Sequence, residues 1–344
     1  MMSKILSRLG LCCVLMPAAV MAQTSSPQAA YQLPRAVHSV LTDIVPVGTK
    51  FWMAAGERGH ILQSLDGQVW QQMPVPLQSN LNSIYFTDET HGWAVGHDAS
   101  ILYSGDGGAS WQIQQYLPEL DKPLFDIYFK DPQHGIAVGA YGMFYRTSDA
   151  GKTWVNEFHL ELASEDDQQL LAELKETDPE GFAAEMSSVL PHFNRLYADG
   201  TTLYLVGEAG FFAKSQDFGL TWQRQAEFYN GSLFGITRTK ALSLIAVGLR
   251  GHVFRSTDQG LSWQQITVPS PSTLNSVIND EQGRVYLLGN AGTLLFSDDD
   301  GQTFAAMNQQ DGKAILNAVV IADQLVLATE TGIKTIQLKE SKAL

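Results

Sequence analysis

Short apolar runs, broken every few residues by glycine or polar turns, recur along this chain with a fixed internal pattern. One phrase holds an apolar residue at each end of a four-residue span. Its copies are bounded by Leu41 and Ile44, Leu81 and Ile84, Leu124 and Ile127, Phe193 and Leu196, Leu233 and Ile236, Leu274 and Val277, and Leu316 and Val319. A second phrase is an apolar pair, a glycine, two variable residues and a further glycine. Its first glycine falls at Gly56, Gly96, Gly139, Gly207, Gly248 and Gly289, and Thr329 stands in the seventh place. A third phrase reads Ser/Thr-x-Asp-x-Gly-x-Ser/Thr-Trp, as in Ser104-Gly-Asp106-Gly-Gly108-Ala-Ser110-Trp111. Alternation over runs this short predicts strands, and glycine-rich breaks predict tight turns.

Successive first-glycine positions are 40, 43, 68, 41, 41 and 40 residues apart. A period near 40 with several strands per unit is the signature of a β-propeller, and seven openings give seven blades. The predicted fold class is all-β, with four strands per blade. Strand a is the opening span, b ends at the first glycine, c runs into the Asp phrase, and d starts at its Trp. The last unit stops after strand c. The segment 31–40, which precedes the first unit, is expected to supply that missing strand and close the ring without an open edge.

The third phrase carries an aspartate in six units: Asp66, Asp106, Asp149, Asp217, Asp258 and Asp299. Such an Asp can accept backbone N–H bonds across the c–d turn, the hydroxyl supports the same turn, and the Trp can bury between blades. A carboxylate repeated at one position is a device of the fold, so these six are read as structural. The phrase resembles the bacterial neuraminidase repeat, or Asp box. Together, the three phrases resemble the photosystem II stability and assembly factor-like propellers, over nearly all of the chain beyond its N-terminus. That resemblance implies a luminal or periplasmic assembly factor that binds nascent membrane-protein subunits and has no catalytic activity. It also implies, for some bacterial relatives, an association with exporters. Asp boxes occur in sialidases and endoglucanases too. A glycoside hydrolase or a carbohydrate-binding propeller is therefore the alternative.

Residues 1–22 read as a secretory leader, with Lys4 and Arg8 before an apolar stretch and a cut near Ala22, leaving 23–344 as the propeller. Both cysteines, Cys12 and Cys13, fall inside the leader, so no thiolate site or disulfide is expected afterwards. The destination is periplasmic or secreted. The formal charge of −14 argues against nucleic acid and anionic membrane surfaces as partners. It also departs from the arginine-rich surface of the photosynthetic members. The eight His form no His-x-His or His-x-x-x-His pair. No catalytic residue, metal or cofactor is expected, and the partner is expected to be a protein, one belonging to a membrane complex. Neither direct membrane insertion nor self-association is expected.

Functional freedom lies where the repeat is broken. The variable b–c turn positions Arg58, His97, Tyr141, Glu208, Arg250 and Asn290 are the candidate partner-binding residues. The 68-residue step adds an insertion at 157–191 between blades three and four, on the same face. Ser164 and the acidic run after it predict a capped helix, and Asp178-Pro179 predicts a second. Leu170, Leu171 and Leu174, then Phe182, Ala183, Met186, Val189 and Leu190, form apolar stripes.

Overall fold

The computed structural model describes residues 26–307 and 309–338. Seven antiparallel sheets follow one another around a ring, six of four strands and one of three. Blade one contains strands a (Leu41–Val47), b (Phe51–Gly56), c (Ile61–Ser64) and d (Gln71–Gln72). The other blades repeat that order, and the last is Ile315–Ile321, Gln324–Thr329 and Gly332–Gln337. The leader expected over 1–22 lies outside the described residues.

The buried apolar side chains divide into clusters, each shared by two adjoining blades. Blades one and two share Phe51, Met53, Leu81, Ile84 and Trp111, and blades five and six share Ile245, Val247, Leu274 and Phe304. Box aromatics also close the interfaces at Trp154, Trp222, Trp263 and Trp70. The interface between blades six and seven, built on Tyr286, Leu288, Ile315 and Leu327, has no box aromatic.

Every strand a carries a bulge after its first residue, as between Leu41 and Asp43 or Phe193 and Arg195. An extra residue there rotates the strand and brings the third residues of neighbouring blades together. The first b–c glycine serves this close approach. Gly56 is extended, at φ −173°, but a Cβ on it would lie 2.0 Å from the carbonyl oxygen of Val40. The positive φ belongs to the second glycine, 71° at Gly59, and to the residue before it.

Two sequence expectations fail here. Residues 31–40 form no strand; the only regular element there is a 3-10 turn, Ala36–His38, and blade seven keeps three strands. The arm runs along blade one, where Ala30 N–H donates to Val75 O at 2.9 Å and Leu33 N–H to the Gln72 side chain at 2.8 Å. Pro34 has no N–H and would interrupt a ladder, whereas blade one offers free acceptors. The ring closes by side-chain packing instead. Gly67 of blade one rests on Ile321 and Val326 of blade seven, and Asn317 Nδ2 donates to Asp43 Oδ1 at 2.6 Å. The second failure is one residue of register. The opening of blade seven is Ile315 to Ala318, because Ile315, not Leu316, pairs with Thr329 in the place of Leu41 with Gly56.

Candidate functional site

All six b–c turn residues singled out from the sequence, Arg58, His97, Tyr141, Glu208, Arg250 and Asn290, are exposed. They stand around one end of the ring, on different blades. Among the described residues no contact joins any two of them. Arg58, Tyr141 and Arg250 occupy the left-handed second turn position, with φ of 55°, 52° and 56°. Side chains there are costly on isolated backbone and are held by the surrounding turn. His97, Glu208 and Asn290 occupy the first position. Bonds to neighbouring d–a connections fix these turns: Arg58 N–H to Asn80 Oδ1 at 2.9 Å, His97 N–H to Asn80 O at 2.8 Å and Glu208 N–H to His192 O at 3.0 Å. The turns are therefore fixed, and some of their side chains are held as well: Glu208 accepts from His192 N–H at 3.4 Å and Asn290 Oδ1 from Asn275 Nδ2 at 2.9 Å.

The insertion forms two helices, α1 (Glu165–Thr177) and α2 (Pro179–Met186), as predicted. The Ser164 hydroxyl accepts from Asp167 N–H at 3.1 Å, and the Asp178 side chain from Gly181 N–H at 3.1 Å. The two predicted stripes are mostly covered: Leu174, Phe182, Met186 and Val189 are half-buried, and only Leu170 and Ala183 are exposed. Leu171 and Leu190 are buried, Leu170 is 41% exposed, and no residue of α2 is buried. The hairpin rises from the rim, tied at its foot. Lys122 Nζ donates to Ser187 O at 2.7 Å, and Gly142 N–H to Pro191 O at 2.9 Å. Beside that foot, the Tyr141 ring meets His192 edge-on at 4.6 Å and carries Lys122 Nζ 4.9 Å from its centroid. Around the rim, Arg250 adjoins a depression of 780 Å³ lined by Phe228, Tyr229 and His252.

Sequence reading missed what lies on the axis below the mouth. The third residues of the openings, Gly235 excepted, form a largely buried polar belt. Ser276 Oγ donates to Asn317 Oδ1 at 2.9 Å, Asn317 to Asp43, and Ser83 Oγ to Asp43 Oδ2 at 3.1 Å and to Asp126 Oδ1 at 2.9 Å. Asp126 also accepts from Leu196 N–H at 2.8 Å and lies 3.5 Å from the Arg195 guanidinium. Burial pushes the Asp126 carboxyl above the ordinary range, against the pull of Arg195. The signal was a polar residue held inside an otherwise apolar phrase.

The Asp boxes hold hydrogen-bond nets across their c–d turns. In blade two, Asp106 Oδ1 accepts from Ser110 N–H at 2.9 Å and from the Ser104 hydroxyl at 2.8 Å, and Ser110 Oγ donates to Oδ2 at 2.6 Å. Asp149, Asp217, Asp258 and Asp299 repeat this net, and Asp66 keeps a shorter one. The cations just before the boxes clamp the next blade. Arg146 Nη1 donates to Phe218 O at 2.9 Å, and Arg255 Nε to Asp300 O at 2.7 Å. Asp300 also accepts from Ser243 Oγ at 2.6 Å and is held between blades.

Although burial opposes it, the bonds from Thr221 and Ser215 bring Asp217 down to about 2, and those from Thr303 and Ser297 do the same for Asp299. Asp66, Asp106, Asp149 and Asp258 are lowered as well. A depressed carboxylate contributes stability that is whole above its unfolded value and is lost as pH falls through its folded value. Asp126 runs the other way, one group against six. The thermal midpoint should hold from about pH 7 to about pH 5 and drop between about pH 4 and pH 2. Unfolding curves across that range check it, and a flat midpoint would contradict it.

Residues 62–122 match the family described as photosynthesis system II assembly factor YCF48. A stretch of 54 residues is 50% identical to the Photosystem II assembly protein Ycf48 of Synechococcus sp. (strain JA-2-3B'a(2-13)), covering 15% of this chain and 16% of that protein. Another 54-residue match, 37% identical, is to the Photosystem II stability/assembly factor HCF136 of Cyanidioschyzon merolae, covering 15% of this chain and 12% of that one. These matches span under a fifth of either curated relative. In structure the likeness is whole. YCF48 bound to D1 peptide is similar at TM-score 0.68 and 21% identity, over 92% of this chain and 98% of that one. An ancestral GH74 enzyme is similar at TM-score 0.64 and 15% identity, over 90% of this chain and 46% of that one. At such identities the likeness establishes the fold. The chain is a photosystem II assembly factor-like seven-bladed propeller in fold and repeat.

Proposed function

We propose that this protein is a non-catalytic, extracytoplasmic binding and assembly factor. It holds a segment of a membrane-complex subunit on the b–c face beside the helical hairpin. One observation carries the reading: the exposed, non-repeating side chains Arg58, His97, Tyr141, Glu208, Arg250 and Asn290 stand on turns fixed by backbone bonds. Exposed side chains on fixed turns suit recognition, since little order is lost on binding. The exposed Leu170 and Ala183 of the hairpin support the same face, because apolar helical surface is a common docking element. A structurally similar YCF48 is described as bound to D1 peptide, which makes an extended peptide the favoured ligand class. Among the described residues no helix is long and apolar enough to cross a membrane.

Deleting the helices, residues 165–186, and resealing the loop with a short turn should leave the propeller folded, since the buried Leu162, Ala163 and Leu190 stay in place, and abolish capture of its native partner. Unfolding of the ring would make the hairpin structural. Undiminished capture would move the binding face elsewhere. The similarity to a GH74 enzyme keeps glycoside hydrolysis as the second reading. Turnover of β-glucans or sialosides by the purified protein, lost on changing one mouth carboxylate, would favour it.

A further inference from the structure

Six of the seven blade interfaces contain the same intramolecular complex. The Asp-box turn of one blade sits on the preceding blade, and in four of the six it lies over the residue three places before that blade's first b–c glycine or its equivalent, Thr329. Gly108 meets Met53, Gly219 meets Ile136, Gly301 meets Ile245 and Gly67 meets Val326. The box aromatic enters beside it, and strand d then pairs with strand c.

In blade seven the chain runs straight through the place where its box would start. Counting from the b–c pairing, Ile336 stands where blade one has Ser64, and Leu338 where it has Asp66. The seat on blade six therefore receives no box aromatic. A groove of 490 Å³ beside it is lined by Arg284 and the buried Tyr286, which correspond to Phe51 and Met53, by Val320, which corresponds to Phe86, and by Leu338. Phe51, Met53 and Phe86 are the residues that receive Trp111. Phe296 occupies the position where other blades put the clamping Gln63, Arg146 or Arg255, and its ring carries the Arg284 guanidinium 4.9 Å from its centroid. The charges at its margin are spent on neighbours: Arg284 on Asp298, and Asp280 on the Tyr286 hydroxyl.

Beside the groove lies an open strand edge. Leu338 N–H bonds inward to Asp323 O at 2.7 Å, so Ile333, Thr335 and Gln337 turn their amides and carbonyls outward. In blade one the carbonyl equivalent to that of Ile333, at Ile61, accepts from Met73 N–H at 2.8 Å; among the described residues no such bond reaches Ile333. The edge is six residues long, against two to four for the outer strands of the other blades. Natural sheets seldom leave an edge of that length unpaired.

We propose that the open strand Gly332–Gln337 and the groove over Tyr286 form a second binding site, which takes an extended segment of a partner protein by strand addition and seats one aromatic side chain of that segment. The six filled seats show what fits: an aromatic followed by two to four residues of strand. The chain's own residues 1–25 and 339–344 contain no aromatic, so neither can fill the seat in this way. Backbone bonds would supply affinity with little demand on sequence, and the aromatic would supply the selection. This site lies on the rim of the disc and does not depend on the reading of the mouth.

The probe is a fluorescein-labelled peptide with the sequence of residues 104–115, the occupant of the equivalent seat in blade two. Saturable binding to the full chain is expected, with at least about a tenfold loss when the Trp of the peptide becomes Ala. Thr335→Pro removes one outward amide at an exposed edge, where proline is tolerated, and should weaken binding at least about tenfold with the thermal midpoint unchanged. Val320→Trp fills the seat from within and should abolish binding while the fold holds. Absence of saturable binding below about 1 mM overturns the proposal. So does indifference to the Trp of the peptide or to both protein variants. Dimers of the free protein that Thr335→Pro dissolves would also overturn it, by giving the edge to a second copy.

Discussion

Replacing Asp126 by alanine should destabilise the propeller by about 3 kcal/mol, more than its single carboxylate suggests. The group accepts from Ile127 N–H at 3.0 Å, Leu196 N–H at 2.8 Å and Ser83 Oγ at 2.9 Å, spanning blades two, three and four. Removing it orphans those donors beneath the mouth and leaves Arg195 without its carboxylate. Asp126→Asn keeps the shape and one acceptor oxygen, so it should cost less than half as much. Denaturant unfolding of both variants separates the outcomes. Equal losses would mean that packing, not the bond network, holds the axis. Ala at Ser276 should cost less, since it donates one bond, to Asn317.

Trp111→Ala should cost about 3–5 kcal/mol, because it removes the largest side chain from the interface between blades one and two. Trp111 is 5% exposed, its indole N–H donates to Gly108 O at 3.1 Å, and Phe86 meets it edge-on at 6.1 Å. Trp111→Phe should cost much less, since blade six already closes its interface with Phe304. Trp154→Ala should fall between them, because that ring is only half-buried. Thermal midpoints of the three variants give the order directly. A Trp111→Ala midpoint close to the parent's would show that the interfaces do not rely on the box aromatics.

The blades were legible because each uses the same residues for the same task. Ser104, Asp106, Gly108 and Trp111 are local partners, two to four residues apart, so their bonds follow from spacing alone. The helices at 165–186 were legible for the same reason, since Ser164 and Asp178 cap within their own turns. The axial belt was not. Asp43 and Asp126 are 83 positions apart, and only the closed ring sets both against Ser83. The Tyr141, His192 and Lys122 cluster likewise joins three loops that the sequence keeps apart.

What the sequence determined by itself was the repeat: seven units, the box in six of them, the exposed turn positions between the glycines and the helical insertion. Each rests on interactions within one unit, where chain spacing and hydrogen-bond reach coincide. What only the tertiary structure decided was how the ends meet. The missing strand of blade seven invited a partner from the N-terminus, and pattern alone had no means of weighing Pro34 against the free acceptor at Val75. The arm passes over Gly332 of blade seven and then runs along blade one, the ring closes through Asn317 and Asp43 as well, and among the described residues no strand pairs with the outer edge of blade seven. Closure is a competition between distant surfaces for the same backbone groups, and its outcome depends on geometry that no local pattern contains.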